Sequence, residues 1–189
     1  MFYIIVGTNR PDSRSRQVAE IVKAKYSQLE IQAEIIDLAE LDLTALKGSM
    51  YGQELEGPAG DAIKKINHAE ALVMVVPEYN GGVPGVLKHF MDYWSYPVSF
   101  EYRPVSYIGL GGRWGGLRPV EHLQQIFGYR NAYSFPERVF LSQVWDLLKD
   151  GEILDRGVND LLSTQVDHFA KFVRALQGAG LDANSNRPG

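Results

Sequence analysis

Residues 71–85 read Ala71-Leu72-Val73-Met74-Val75-Val76-Pro77-Glu78-Tyr79-Asn80-Gly81-Gly82-Val83-Pro84-Gly85. The opening run of six apolar residues is too short for a helix and ends on β-branched side chains. It has the pattern of a strand buried on both faces of a parallel sheet. Pro77 closes that run, since proline lacks the N–H a ladder needs. Glu78, Tyr79 and Asn80 then bring polar and aromatic groups, and Gly81-Gly82 admits backbone angles closed to other residues. Pro84 suits a helix start. Val86, Leu87, Phe90, Met91 and Trp94 recur at helical spacing, so a helix is expected over Pro84–Tyr96. A core strand feeding a glycine-rich elbow and then a helix puts the elbow at the carboxyl edge of a sheet. Open α/β folds bind ligands at that edge.

The same strand–loop–helix grammar occurs at the start of the chain. Phe2–Val6 is apolar, Gly7-Thr8-Asn9-Arg10-Pro11-Asp12-Ser13-Arg14-Ser15 follows, and Val18, Ile21, Val22, Tyr26 and Leu29 then mark one helical face. Ser13 or Ser15 can cap that helix. Free first-turn N–H groups, the positive end of the helix dipole and Arg10 and Arg14 make the loop an anion site. It lacks the GKS/T ending of a Walker loop and is not GxGxxG. The alternative is a capped turn with no ligand.

Further strands are expected at Ala33–Ile36, Val105–Leu110 and Ala132–Leu141, the last bulged near Pro136. Helices are expected over Pro58–Ala69, from Arg118-Pro119 onward, and over Asn159–Gln177. The stretch 38–57 is irregular and reads as surface packing. A second glycine-dense turn, Gly111-Gly112-Arg113-Trp114-Gly115-Gly116, follows the fourth strand. Five alternations of strand and helix imply one parallel sheet with helices on both sides, a three-layer α/β sandwich. Right-handed crossovers favour the strand order 2-1-3-4-5. In that order strands 1 and 3 are neighbours whose connections leave in opposite directions, so the loops at Thr8–Ser15, Pro77–Gly82 and Gly111–Gly116 should meet at one crevice.

Composition narrows the function. A chain of 189 residues with 45% apolar and 22% charged residues is one ordinary domain, expected over 1–177, with a flexible tail over 178–189. Nineteen basic residues against 23 acidic ones argue against a nucleic-acid or anionic-membrane partner. The absence of cysteine removes disulfides, thiolate nucleophiles and Cys-ligated metal. His68, His89, His122 and His168 lack ligand spacing, so no metal site is expected. No signal peptide or membrane span is seen, and a cytoplasmic location is the default expectation.

Three segments resemble the NADPH-dependent FMN reductase family, which includes flavin-dependent azo, quinone and chromate reductases. Gly7–Ser15 is similar to its phosphate loop. Pro77–Lys88, PEYNGGVPGVLK, resembles its most specific signature, the segment beside the isoalloxazine ring. Gly111-Gly112 and Gly115-Gly116 resemble its third segment, near the pyrimidine side of the ring. Ser15 replaces a frequent Asn or Thr, Gly82 a frequent Ser and His89 a frequent Asn. The C-terminal third matches no pattern we recognise.

The resemblance implies a flavodoxin-like fold and an FMN-dependent oxidoreductase using NADPH or NADH in a ping-pong cycle. The acceptor would be a small molecule such as a quinone, azo compound or free flavin. Thr8, Arg10, Ser13, Arg14 and Ser15 would hold the phosphate. Pro77, Glu78, Tyr79, Asn80, Gly81, Gly111, Gly112 and Gly115 would border the ring, and Arg113 and Trp114 would line the substrate pocket. No catalytic side chain is required, because the flavin carries the chemistry. Glu78 reads as a positioning group rather than a general acid. Arg113 or Arg118 could meet the 2′-phosphate of NADPH, or lie on the surface. A homodimer or homotetramer is expected, with the aromatics between Phe90 and Tyr102, Trp94 among them, in the core or at a subunit contact. An FMN-binding sensor or electron shuttle without turnover, and a phosphate-binding protein with another ligand, are the competing readings.

Overall fold

The structure, a computed structural model, describes residues 1–186. Five parallel strands, β1 (Phe2–Val6), β2 (Ala33–Asp37), β3 (Ala71–Pro77), β4 (Pro104–Leu110) and β5 (Tyr133–Leu141), form one sheet in the order β2-β1-β3-β4-β5. The central pairing runs in register from Phe2–Ala71 to Val6–Val75. Alternation along β3 sorts its side chains into two cores. Leu72, Met74 and Val76 pack with Ile63 and Ile66 of α2 (Gly57–Asn67), Leu87 and Phe90 of α3 (Gly85–Met91), and Leu123 and Phe127 of α4 (Leu117–Tyr129). Ala71, Val73 and Val75 pack with Val18, Val22 and Tyr26 of α1 (Arg14–Gln28) and with Val166, Phe169 and Val173 of a long C-terminal helix, Arg156–Gly178. The flavodoxin-like three-layer sandwich and its strand order are therefore as expected.

Several details differ from the sequence reading. Pro77 belongs to the ladder, opposite Leu110, because the Glu78 N–H beyond it donates to the Leu110 carbonyl at 2.8 Å. Helix α3 stops at Met91 rather than Tyr96. Beyond it Tyr93 and Trp94 donate to the carbonyls of Phe90 and Met91, three residues back, which tightens the coil into turns. Trp94 stays buried in the core. The stretch 38–57 holds three short 3₁₀ turns, two of them capped by Asp37 and Asp42. After β5 comes an element that periodicity did not show, a single helical turn, α5 (Val144–Leu147). A two-stranded hairpin follows, β6 (Leu148–Lys149) with β7 (Glu152–Ile153). The long helix is then α6, starting at Arg156 behind its cap Asp155.

The expected bulge in β5 is present as a register shift between Val105 and Tyr107 against Ser134 and Arg138. Gln165, buried on α6, donates to the carbonyls of Tyr107 and Glu137, each at 2.9 Å. Its amide thus occupies backbone acceptors at the irregular stretch of the ladder.

The tail was expected to be flexible from residue 178; residues 178–181 are exposed, but residues 182–184 are held against the body. Asp182 accepts from Asn184 N and from Ser185 N and Oγ, closing the short helix α7 (Ala183–Asn186), and Ala183 is buried. Asn184 meets Arg103 Nη1 at 3.3 Å, and this fully buried arginine also donates to the carbonyls of Asn67 and Val98. Residues 187–189 lie outside the described residues. Burial works to raise the Asp182 pKa, but hydrogen bonds from Ser185 and Asn184 outweigh it and hold the carboxyl below its ordinary value. Stability from a depressed carboxylate is present above the ordinary value of about 4 and is lost as pH falls through the folded-state value. Asp182→Ala should therefore cost about 1 kcal/mol at neutral pH and less in acid. Hydrogen exchange should show the 182–186 amides losing protection while the sheet keeps its own.

Candidate active site

Because all five strands are parallel, every strand-to-helix loop leaves from the same sheet edge. The β1–α1 loop begins with Thr8, fully buried, and reaches Ser13, the N-cap of α1, whose Oγ accepts from Arg16 N at 3.1 Å. Ser15 is buried in the first turn, and Arg10 and Arg14 are exposed. The first-turn N–H groups of Arg14 and Ser15 have no upstream helical carbonyl to bond. Arg16, by contrast, is occupied. Its guanidinium binds Glu20, Asp37 at 3.1 Å and Glu40 at 2.8 Å, tying the start of α1 to the end of β2. It adds no free charge to the loop.

The β3–α3 loop turns back on itself through Asn80 (φ 51°) and Gly81 (φ 76°), and Tyr79 and Gly82 exchange backbone hydrogen bonds. This turn carries the Tyr79 hydroxyl to within 2.8 Å of Thr8 Oγ1, although the two residues are 71 positions apart. Thr8 Oγ1 also accepts from Arg10 N at 3.2 Å. The first two loops are thus in direct contact.

The β4–α4 loop joins them from the other side. A Cβ at Gly111 would lie 3.4 Å from Cβ of Glu78, so the second and third loops abut. Arg118, in the first turn of α4, binds Glu78 through Nη1–Oε1 at 2.7 Å, and its stem lies over Gly81. Gly116 has φ 84°, and a Cβ there would come within 2.4 Å of Leu110 N. No other residue fits that approach of helix to strand. Arg113 lies over the Trp114 ring at 5.0 Å, and both are exposed. The expected site residues therefore fall on three adjoining loops or on the strand end (Pro77) and first helical turn (Arg14, Ser15) that flank them, all at one edge.

A fourth wall went unread in the sequence. Gln143 N and Val144 N donate to the carbonyls of Gly112 and Gly111, which fastens the segment after β5 to the third loop. Trp145 follows, half exposed, and a Cβ at Gly112 would lie 3.0 Å from its Cη2. The signal available was its place four residues beyond the end of β5, at the same sheet edge. A surface cavity of about 560 Å³, lined by Gln53, Asn67, Tyr93 and Arg130 among others, contains no residue of these loops. Among the described residues no cluster of three His, Asp or Glu could hold a metal, and no helix is long and apolar enough to cross a membrane.

Solved structures with the same architecture include the flavoenzyme NAD(P)H:(acceptor) oxidoreductase FerB from Paracoccus denitrificans. It superposes with a TM-score of 0.74 at 18% identity, covering 92% of this chain and 97% of that one. The NADH:FMN oxidoreductase EMOB in its apo form superposes with a TM-score of 0.73 at 19% identity, covering 90% and 88%. At such identities they establish the fold. Sequence goes further. An NADPH azoreductase from Bacillus sp. (strain OY1-2) is 30% identical over 155 residues, 79% of this chain and 80% of the relative. An FMN-dependent NADPH-azoreductase of Staphylococcus aureus is 30% identical over 139 residues, 72% and 73%. Residues 2–146 match the profile of the NADPH-dependent FMN reductases, and the chain belongs to that family. It is accordingly an oxidoreductase that works with FMN and a reduced nicotinamide.

The Thr8–Tyr79 contact can be tested directly. Thr8→Val and Tyr79→Phe should each destabilise the protein, and the double variant should lose less than the sum by about 0.5–1.5 kcal/mol. Urea denaturation of the four proteins measures this coupling, and strict additivity would mean the loops do not touch in solution.

Proposed function

We propose that this protein passes electrons from NADPH or NADH to a small planar acceptor, a quinone, azo compound or free flavin, with FMN held across the three loops. The chemistry of the loops suits that cofactor. Buried hydroxyls at Thr8, Ser13 and Ser15, the first-turn amides of α1 and the guanidinium of Arg10 are donors matched to a phosphate dianion. Ser13 can accept from Arg16 N and still donate its proton outward. Pro77, Glu78, Tyr79, Asn80 and Gly81 would border the ring on one side, and the backbone of Gly111, Gly112 and Gly115 on the other. Arg113 and Trp114, both exposed on the third loop, would meet the nicotinamide or the acceptor. The observation that supports the reading is the 2.8 Å contact between Thr8 and Tyr79, which joins the loop that would grip the phosphate to the loop that would border the ring.

Bound FMN would supply the redox step, taking hydride from the nicotinamide and, once that product leaves, giving electrons to an acceptor in the same space. The protein's own work is to grip the phosphate, orient the ring and leave one face open. Arg10→Ala should weaken FMN binding roughly ten- to a hundredfold, the scale of a charge-assisted contact. Gel filtration at low concentration reads this as loss of yellow colour, and an Arg10→Ala protein that stays yellow would remove Arg10 from the phosphate site. Reconstitution with FMN, desalting and NADPH consumption with and without benzoquinone test turnover itself. A protein that binds FMN but consumes no NADPH would be a flavin carrier.

Assembly into a homodimer or homotetramer belongs to the same reading. Tyr96 and Tyr129 are 58% and 80% exposed, and Arg130 lies over both rings at 4.5 and 5.1 Å. Such an aromatic and arginine surface is the composition of protein contacts. Sedimentation at micromolar concentration should give a species larger than the 21.2 kDa chain, and Tyr129→Glu should return it to that mass.

A further inference from the structure

We infer that the Glu78–Arg118 ion pair sets the reduction potential of the flavin by keeping a carboxylate beside the ring electrically neutral. The inference rests on FMN lying between the second and third loops. Glu78 sits in the narrow space between them: its N–H is bound to the Leu110 carbonyl, its Cβ faces Gly111, and its carboxylate meets Arg118 at 2.7 Å. The side chain of Glu78 is only 14% exposed, whereas that of Arg118 is 48% exposed. The anion is therefore the fixed, poorly screened partner, and the cation reaches in from solvent along Gly81 to cancel it.

An ion pair whose cation is half exposed adds little to stability, so holding the fold together is a weak reason for this one. Its position gives it another consequence. A ring that gains negative charge on reduction is sensitive to any net charge between its loops, because charges in a partly desolvated cleft interact more strongly than in water. With the pair intact the two charges largely cancel. Removing Arg118 leaves an uncompensated carboxylate, which disfavours the reduced ring. Removing Glu78 leaves a cation, which favours it, but more weakly, because the freed arginine can swing into solvent. Glu78 and Arg118 are thus positioning residues whose two halves act with opposite sign.

The test compares wild type, Arg118→Gln, Glu78→Gln and the double variant. For each, FMN dissociation constants are measured in the oxidised state and in the anaerobically reduced state. Their ratio gives the potential shift by linkage even where binding is weak. Arg118→Gln should weaken reduced relative to oxidised binding by about tenfold, and Glu78→Gln should strengthen it by about threefold. The double variant should return close to wild type. Dye-equilibrated potentials of the loaded proteins should move in the same directions, down for Arg118→Gln and up for Glu78→Gln. Loss of packing or of loop order would move both single variants the same way, and that result, or no shift in either, overturns the inference. Failure of the wild type to bind FMN at all would instead sink the placement of the flavin, and the inference with it.

Discussion

The meeting of the three loops depends on one backbone constraint, the parallel pairing of β1 with β3. It holds Val6 level with Val75, so β1 gives way to its loop two residues before β3 ends at Pro77, and the two loops leave the same sheet edge side by side. Every later contact inherits that registration. Thr8 reaches the Tyr79 hydroxyl, Glu78 reaches both Leu110 and Arg118, and the segment after β5 ties to Gly111 and Gly112. A one-residue slip of β3 would exchange the sets Leu72/Met74/Val76 and Ala71/Val73/Val75 between the two cores. Hydrophobic sorting therefore protects the geometry of a site that is itself polar.

What the chain declares in its own residues is this sorting. The run Ala71–Val76, the short run Phe2–Val6 and the 3.6-residue stripes of α1 and α6 are strong periodic signals, and the sheet order follows from them with the handedness of crossovers. The loops were legible because Gly, Pro, Ser and Arg are concentrated where strands end. Less visible were features decided by tertiary contact. The early end of α3 at Met91 cannot be read from a sequence whose apolar spacing continues to Trp94. Trp94 is buried, as that spacing requires, but from a turn rather than from a helix.

Two further features were hidden for related reasons. Gln165 stands next to Val166 on a helix whose buried stripe is otherwise apolar, and its purpose appears only beside the bulge whose carbonyls it satisfies. Trp145 belongs to a four-residue helix, too short for periodicity, and its place over Gly112 is a fact of the folded edge. The small polar residues of 182–186 read as a tail by composition. Asp, Asn and Ser are also the residues that bond their own backbone, and here Asp182 does so.

The docking of that segment has a spatial consequence. Asn184 meets Arg103 and the Ala69 carbonyl, which lie one residue before β4 and two residues before β3. These lie at the amino ends of the strands, the pole of the sheet opposite the loops that carry Thr8, Glu78 and Gly111. The molecule thus has one face that carries the three candidate loops and another that holds its C-terminal segment, separated by the full length of its strands. Tethering the protein to a support or to another domain through 182–186 would leave the three loops turned outward.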